Sequence, residues 1–283
     1  MTAATATAPV AAPNKNIHLS FPHVVRSEWI KLWTVRSTMW SLPIFFVVTV
    51  GLVLLMSLAF RSALTHDASD LPADLALQPF VIAMQMAQIA LVVLAALAIT
   101  GEYSTGMIRS SLTAAPRRSP VLWAKLVVLA AVFLVLSIVS VAIAFAVQQA
   151  IFSSDLKLDL GDSQVQRALL GAALYATTIA LLSFALGALM RHSAAAIATV
   201  LGLILVLPIL FQIPWRPLQL IQPFLPGVAG SLITETDAQI AQANDMAAHG
   251  VVQFTAWQGY GLLVGYVVLV LAAAWVRLKK TDA

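Results

Sequence analysis

The 283-residue sequence contains no cysteine and little charge: Asp, Glu, Lys and Arg together make up 10% of it. The first absence excludes disulfides, thiolate metal sites and a cysteine nucleophile, and leaves the compartment open. The second excludes an ordinary soluble surface, since soluble domains are about a quarter charged. No glycine is followed by lysine, so the chain has no P-loop to cradle ATP phosphates. It also lacks HExxH and GxSxG, and no pair of aspartates lies in an apolar stretch to share a proton, which argues against intramembrane hydrolysis. The histidines (His18, His23, His66, His192 and His249) are scattered through tails and loops without ligand-like spacing, so no metal site is expected.

What fills the chain instead is hydrocarbon. Hydrophobic residues make up 60% and the mean hydropathy is +0.91. They fall in six runs, at about 39–60, 78–100, 121–148, 169–189, 194–211 and 257–276. Each approaches or exceeds the ~20 residues that a helix needs to cross ~30 Å of hydrocarbon, which predicts an all-α polytopic membrane protein. Twelve of the sixteen Lys and Arg residues lie before the first run, after the second, after the fourth and after the sixth. Nine of the twelve acids lie on the other side, so the positive-inside rule puts both termini in the cytoplasm. The basic pI therefore reports topology and gives no reason to expect nucleic-acid binding.

Between the runs there is no room for a soluble domain: the longest segment, 212–256, reads as a partly helical external loop. The first apolar run begins too late for a cleaved signal peptide, and residues 1–19 read as a disordered cytoplasmic tail. Residues 277–283 read as a second cytoplasmic tail. No acid, arginine or histidine lies deep in any run, and Lys125 is close enough to the end of the third to snorkel. That absence disfavours an ion-coupled carrier.

The polar residues that do enter are neutral, chiefly Gln85 and Gln88 in the second run, Gln148 and Gln149 in the third, and Thr177, Thr178 and Ser183 in the fourth. Two readings stay open for them. They bond helix to helix, alongside the small-xxx-small pairs Ser183/Gly187 and Gly261/Gly265, or Gln85 and Gln88 line a translocation path. A path without fixed charge would suit a lipophilic or amphipathic cargo.

Two segments at the basic side carry more information. Residues 20–38 read as an amphipathic helix with Ser20 as N-cap and Pro22 in the first turn. Phe21, Val25, Trp29, Leu32 and Trp33 form its apolar side, and Arg26, Ser27, Lys31 and Thr34 the polar one. It is expected in the headgroup layer, either as a simple anchor or as an elbow that also touches a cytosolic partner. The loop 101–120 holds Glu102 at the membrane exit, glycines at 101 and 106, the apolar pair Ile108 and Leu112, and a Pro-Arg-Arg stop at 116–118. A short helix with one apolar edge and flanking charge fits a docking knob for another protein.

Arg26-Ser-Glu-Trp-Ile-Lys-Leu-Trp-Thr-Val-Arg-Ser-Thr38, Ile99-Thr-Gly-Glu-Tyr-Ser-Thr-Gly-Met-Ile-Arg109 with Pro116-Arg-Arg118, Leu225-Pro-Gly-Val-Ala-Gly230 and Trp275-Val-Arg-Leu-Lys-Lys-Thr-Asp282 together resemble permeases of the type 2 (ABC-2) exporter family. The resemblance runs from about residue 20 to the end. It implies a non-enzymatic subunit in a bacterial plasma membrane that pairs with a second copy or a related permease. It also implies two separate ATP-binding cassette ATPase subunits, on which ATP and Mg would be bound, and no cofactor in this chain. Contact with the ATPase then maps onto Glu102, Tyr103, Gly106, Ile108, Arg109, Arg117 and Arg118, with Arg191 and His192 as a second, smaller contact. Arg26, Glu28, Trp29, Lys31 and Trp33 would belong to the elbow helix, and residues 212–256 to an external cap. A reading of another class is a membrane anchor or sensor that recruits a cytosolic protein and moves no cargo.

Overall fold

The computed structural model describes residues 20–34, 36–63, 76–104, 106, 118–152, 157–213, 215–247 and 250–280, with side chains at all of these except 36–38 and 118–119. The tail 1–19 and the loop residues Ile108, Arg109 and Arg117 lie outside them. The described residues form helices and turns with no strand. Six of the helices are long and apolar enough to cross a bilayer, and the chain is an all-α, multi-pass membrane protein.

A short helix α1 (Phe21–Thr34) leads into α2 (Arg36–Ala63). Then come α3 (Gln78–Ser104), α4 (Arg118–Ile151) and α5 (Ser163–Met190). The fifth spanning helix, α6, begins as Ser193–Leu201, widens into a π-helical turn over Gly202–Val206, and ends as Leu207–Leu210. Pro208 explains the widening, because it offers no N–H for the regular ladder and the preceding turn takes up the slack. Three short helices follow, α7 (Arg216–Ile221), α8 (Pro226–Ser231) and α9 (Asp237–Asp245), before the last spanning helix α10 (Ala256–Lys280).

Helix α5 is the axis of the bundle. It packs against α3, α4, α6 and α10, while α2 flanks α3 and α4. Small residues let it take that place: Ala172, Ala173, Ala176, Ala180, Ala185 and Gly187 are all buried. A Cβ at Gly187 would lie 2.7 Å from Ile99, and the Ser183 hydroxyl donates to the carbonyl of Val92 at 2.6 Å. The Ser183/Gly187 pair thus serves the α5–α3 contact within the chain. Gly261 and Gly265 meet no atom within 4 Å, so this pair faces away from the bundle. Asp162 caps α5 by accepting from the Gln164 amide at 2.8 Å, and Arg191 ends the helix in the left-handed conformation, φ 59°.

The two ends of the bundle differ in charge. The basic end carries α1, the C-terminus of α3, the start of α4, the α5–α6 turn and the last turn of α10. The opposite end carries residues 215–247. That segment is partly helical, as expected, and packed on the bundle: Pro226, Gly227, Ala229 and Gly230 are buried, α8 packs on α10, and Gly227 lies against Ile204 in the π-helical turn.

Candidate functional site

Four charged side chains meet at the basic end. Lys125, near the start of α4, donates to Glu102 Oε1 at 2.8 Å and lies 2.6 Å from Glu28 Oε2 on α1. Lys31, one turn along α1, donates to Glu28 Oε1 at 2.6 Å and reaches to 3.8 Å of Glu102 Oε1. Glu28, Glu102 and Lys125 are only 3%, 7% and 8% exposed. The cluster balances two carboxylates with two ammoniums, which is what allows charge to be buried at all. It is not fully satisfied, because Glu102 Oε2 is buried without a hydrogen-bond donor.

Burial corrects one expectation. Lys125 does not snorkel to an interface; it turns inward to two carboxylates, which offer more to a desolvated ammonium than a long reach to water. Helix α1 meets the bundle by part of its surface only. Val24, Glu28 and Leu32, four residues apart, are the buried positions, and Val24 packs on Val121 and Ala124 of α4. Phe21, Trp29 and Trp33 are exposed, with Trp29 and Trp33 edge to face at 5.8 Å. The wide aromatics therefore turn away from the bundle, where lipid would cover them, and a narrow stripe docks. Ser20 pairs its hydroxyl with the His23 ring at 2.8 Å, not with a backbone amide as an N-cap would. Arg26 is exposed on the outer side.

Other residues singled out from the sequence scatter around this cluster. Tyr103 follows Glu102, and its ring lies 5.3 Å from the guanidinium carbon of Arg191. Gly106 is exposed with φ 71°, a conformation that glycine adopts without strain. Arg118 opens α4. His192 is the N-cap of α6, its Nδ1 accepting from the Ala195 amide at 3.3 Å. Arg277 donates to the carbonyl of Leu189 in the last turn of α5, and Lys279 stands 3.6 Å above the Trp275 ring.

Gln85 and Gln88 have different surroundings. Gln85 borders a small cavity with Phe80, Val81, Met84, Tyr175 and Thr234, whereas Gln88 is buried, with its Oε1 unpartnered. Gln148 donates to the carbonyl of Ala76, and Gln149 exchanges bonds with the backbone of Leu158. The buried hydroxyls Thr49, Ser57, Ser137 and Ser140 escaped the sequence reading, since lone serines in apolar runs resemble neutral filler. Among the described residues, no three His, Cys, Asp or Glu side chains gather to hold a metal ion.

At the opposite end, Arg167 on α5 pairs with Asp237 at 2.7 Å and donates to the carbonyl of Glu235. Burial pushes the Glu235 carboxyl above its ordinary range. Gln164 accepts from the Asp237 amide, and Thr236 and Gln239 form a reciprocal capping box at the start of α9.

No curated protein matches the chain. A family model, described as a protein of unknown function (DUF2705), matches residues 44–283 and so takes in Glu102, Lys125 and Arg191 but not Glu28 or Lys31. With most of its length matched, the chain belongs to the DUF2705 family.

Proposed function

We propose that this protein is the membrane-spanning permease subunit of an ATP-binding cassette exporter, coupled to a separate ATPase at its basic end. The observation that carries the reading is the meeting of two segments, 26–38 and 99–109, on which the resemblance to type 2 exporter permeases rests. Glu28 of the first and Glu102 of the second share Lys125 and Lys31. A push on the loop after α3 would therefore be felt by the elbow helix α1 and by α4 together. Glu102 Oε2 lacks a donor, which leaves the cluster an acceptor to which an ammonium can pass without stranding a carboxylate.

In this reading Glu102 acts inside the bundle as the link behind the docking surface, and the surface itself is formed by neighbouring residues of the loop. The charge asymmetry supports a cytoplasmic basic end, and the resemblance to type 2 exporter permeases supports a bacterial plasma membrane. ATP and Mg are bound by the partner, since the sequence has no P-loop. ATP-driven closure of two such partners would tilt the spans of two permease copies and alternate the access of a cavity between them.

The test is purification of the tagged chain from its host in mild detergent, identification of co-purifying proteins, and an ATP hydrolysis assay after reconstitution in lipid. The expected result is a P-loop ATPase whose hydrolysis depends on this chain. If crosslinking in intact membranes finds a cytosolic partner without ATPase activity, the chain is an anchor or sensor and the permease reading fails.

A further inference from the structure

We propose that Arg191 and Arg277, where α5 ends, form a binding site for the phosphate of an anionic phospholipid. The inference does not depend on the transport reading. Arg191 follows the last residue of α5 and holds a left-handed backbone, φ 59°, in which its amide donates to the Gly187 carbonyl at 2.8 Å. Its guanidinium lies over the Tyr103 ring, and Nε and Nη2 are buried with no acceptor. Arg277 spends one nitrogen on the carbonyl of Leu189, two residues from Arg191. Among the described residues neither arginine has an ion-pair partner, and Glu28 and Glu102 are already held by Lys31 and Lys125. The guanidinium has the Tyr103 hydroxyl as a side-chain partner, but its buried Nε and Nη2 have no acceptor, which is costly, so the site asks for an anion with more than one oxygen.

The surroundings point to a lipid as its source. Arg191 directly follows one spanning helix and Arg277 lies in the last turn of another, so both stand where a long apolar helix ends. Tyr103 and Trp275, the aromatic types that collect at membrane interfaces, flank them. Lys279 lies over Trp275 and adds a third cation. Along α10, Val276, Leu269 and Val268 are exposed and would offer acyl chains a continuous apolar flank. Arg191 is half-buried, so a headgroup can approach its open edge, and a small swing off the Tyr103 ring would present Nε and Nη2. Basic pockets between spanning helices have the chemistry for this kind of recognition.

Native mass spectrometry of the delipidated full-length chain, titrated with phosphatidylglycerol or phosphatidylcholine, tests the site. The wild type should retain phosphatidylglycerol in clear preference, and Arg191→Gln and Arg277→Gln should each weaken that retention about fivefold. Arg216→Gln, at the opposite end, should leave it unchanged. Equal retention of the two lipids, or unchanged preference in both variants, overturns the proposal. Should Arg191→Gln fail to fold, Arg277→Gln alone decides. Excess inorganic phosphate should leave the lipid adduct in place; its displacement would make this a free-phosphate site and overturn the lipid assignment.

Discussion

The two ends of this bundle are held together by different physics. At the basic end, α1, α3 and α4 are joined by buried ions: Glu28, Glu102, Lys125 and Lys31. At the opposite end the ion pair of Arg167 with Asp237 is exposed, and backbone approaches backbone where glycine leaves room. A Cβ at Gly259 would stand 2.3 Å from the Ala229 carbonyl oxygen, and one at Gly171 2.4 Å from that of Ile233. Contacts of the second kind fit in one way and tolerate little displacement. An ionic cluster can exchange partners while keeping its charge balanced. In the permease reading proposed above, the basic end is then the place for a moving part and the opposite end a fixed one.

The largest effect should come from removing the shared cation. Lys125→Ala leaves Glu28 and Glu102 with Lys31 alone, and losing one partner of a buried pair costs about 3–5 kcal/mol. Thermal unfolding of the purified protein in detergent should show a much lower midpoint. Lys125→Met combined with Glu28→Gln and Glu102→Gln should recover most of the loss, because no unpaired charge then remains. Recovery would show that the single variant suffers from stranded charge and not from lost packing.

Next come the glycines. Gly259→Ala and Gly171→Ala should each cost about 1–3 kcal/mol by overpacking, seen as faster proteolysis within residues 215–247. Gly261→Ala, only two residues from Gly259 but on the open face, should cost nothing and stabilise the helix by up to about 1 kcal/mol, since alanine is the better helix former. Equal effects at 259 and 261 would erase the distinction between a packed and an open face. A smaller loss, about 1 kcal/mol, is expected for Thr236→Ala, which removes the cap of α9 and should speed cleavage in 237–245.

The smallest effect concerns pH. Because the folded Glu235 carboxyl titrates above its ordinary 4.5, the native state binds this proton more tightly than the unfolded chain does. That group's contribution is most favourable below pH 4.5 and is lost as pH rises through the raised value. Glu235→Gln should therefore stabilise the protein slightly at neutral pH, with the gain vanishing in acid. A pH-independent difference between the two proteins in unfolding midpoint would show that the carboxyl is not held in this way.

The six spans and the polarity of the bundle were legible because each rests on a long local signal, about 20 apolar residues or a bias of charge between loops. The ion cluster was not, since residues 28, 102 and 125 are brought together only by packing of three helices. One clue was present: Glu28 sits four residues from both Val24 and Leu32, so a carboxylate occupies the middle of an apolar stripe. The tryptophans obscured it, because an apolar face read by 3–4 spacing does not distinguish contact with lipid from contact with protein. The glycine pairs show the same ambiguity. Ser183/Gly187 and Gly261/Gly265 have the same spacing, yet the first packs on α3 and the second faces outward. The π-helical turn was hinted at by Pro208 inside an apolar run, but its packing on Gly227 depends on a segment that hydropathy alone marks as loop.

The central claim, that a partner engages the basic end, is tested most directly by thiol crosslinking, which the absence of native cysteine makes clean. Ser104→Cys, exposed at the end of α3, and Ala241→Cys, exposed on α9, would be compared in native membranes with a short bifunctional reagent. The account predicts an adduct between position 104 and a P-loop ATPase, and none from position 241. An ATPase adduct from 241, or none from 104 while the ATPase co-purifies, would contradict it.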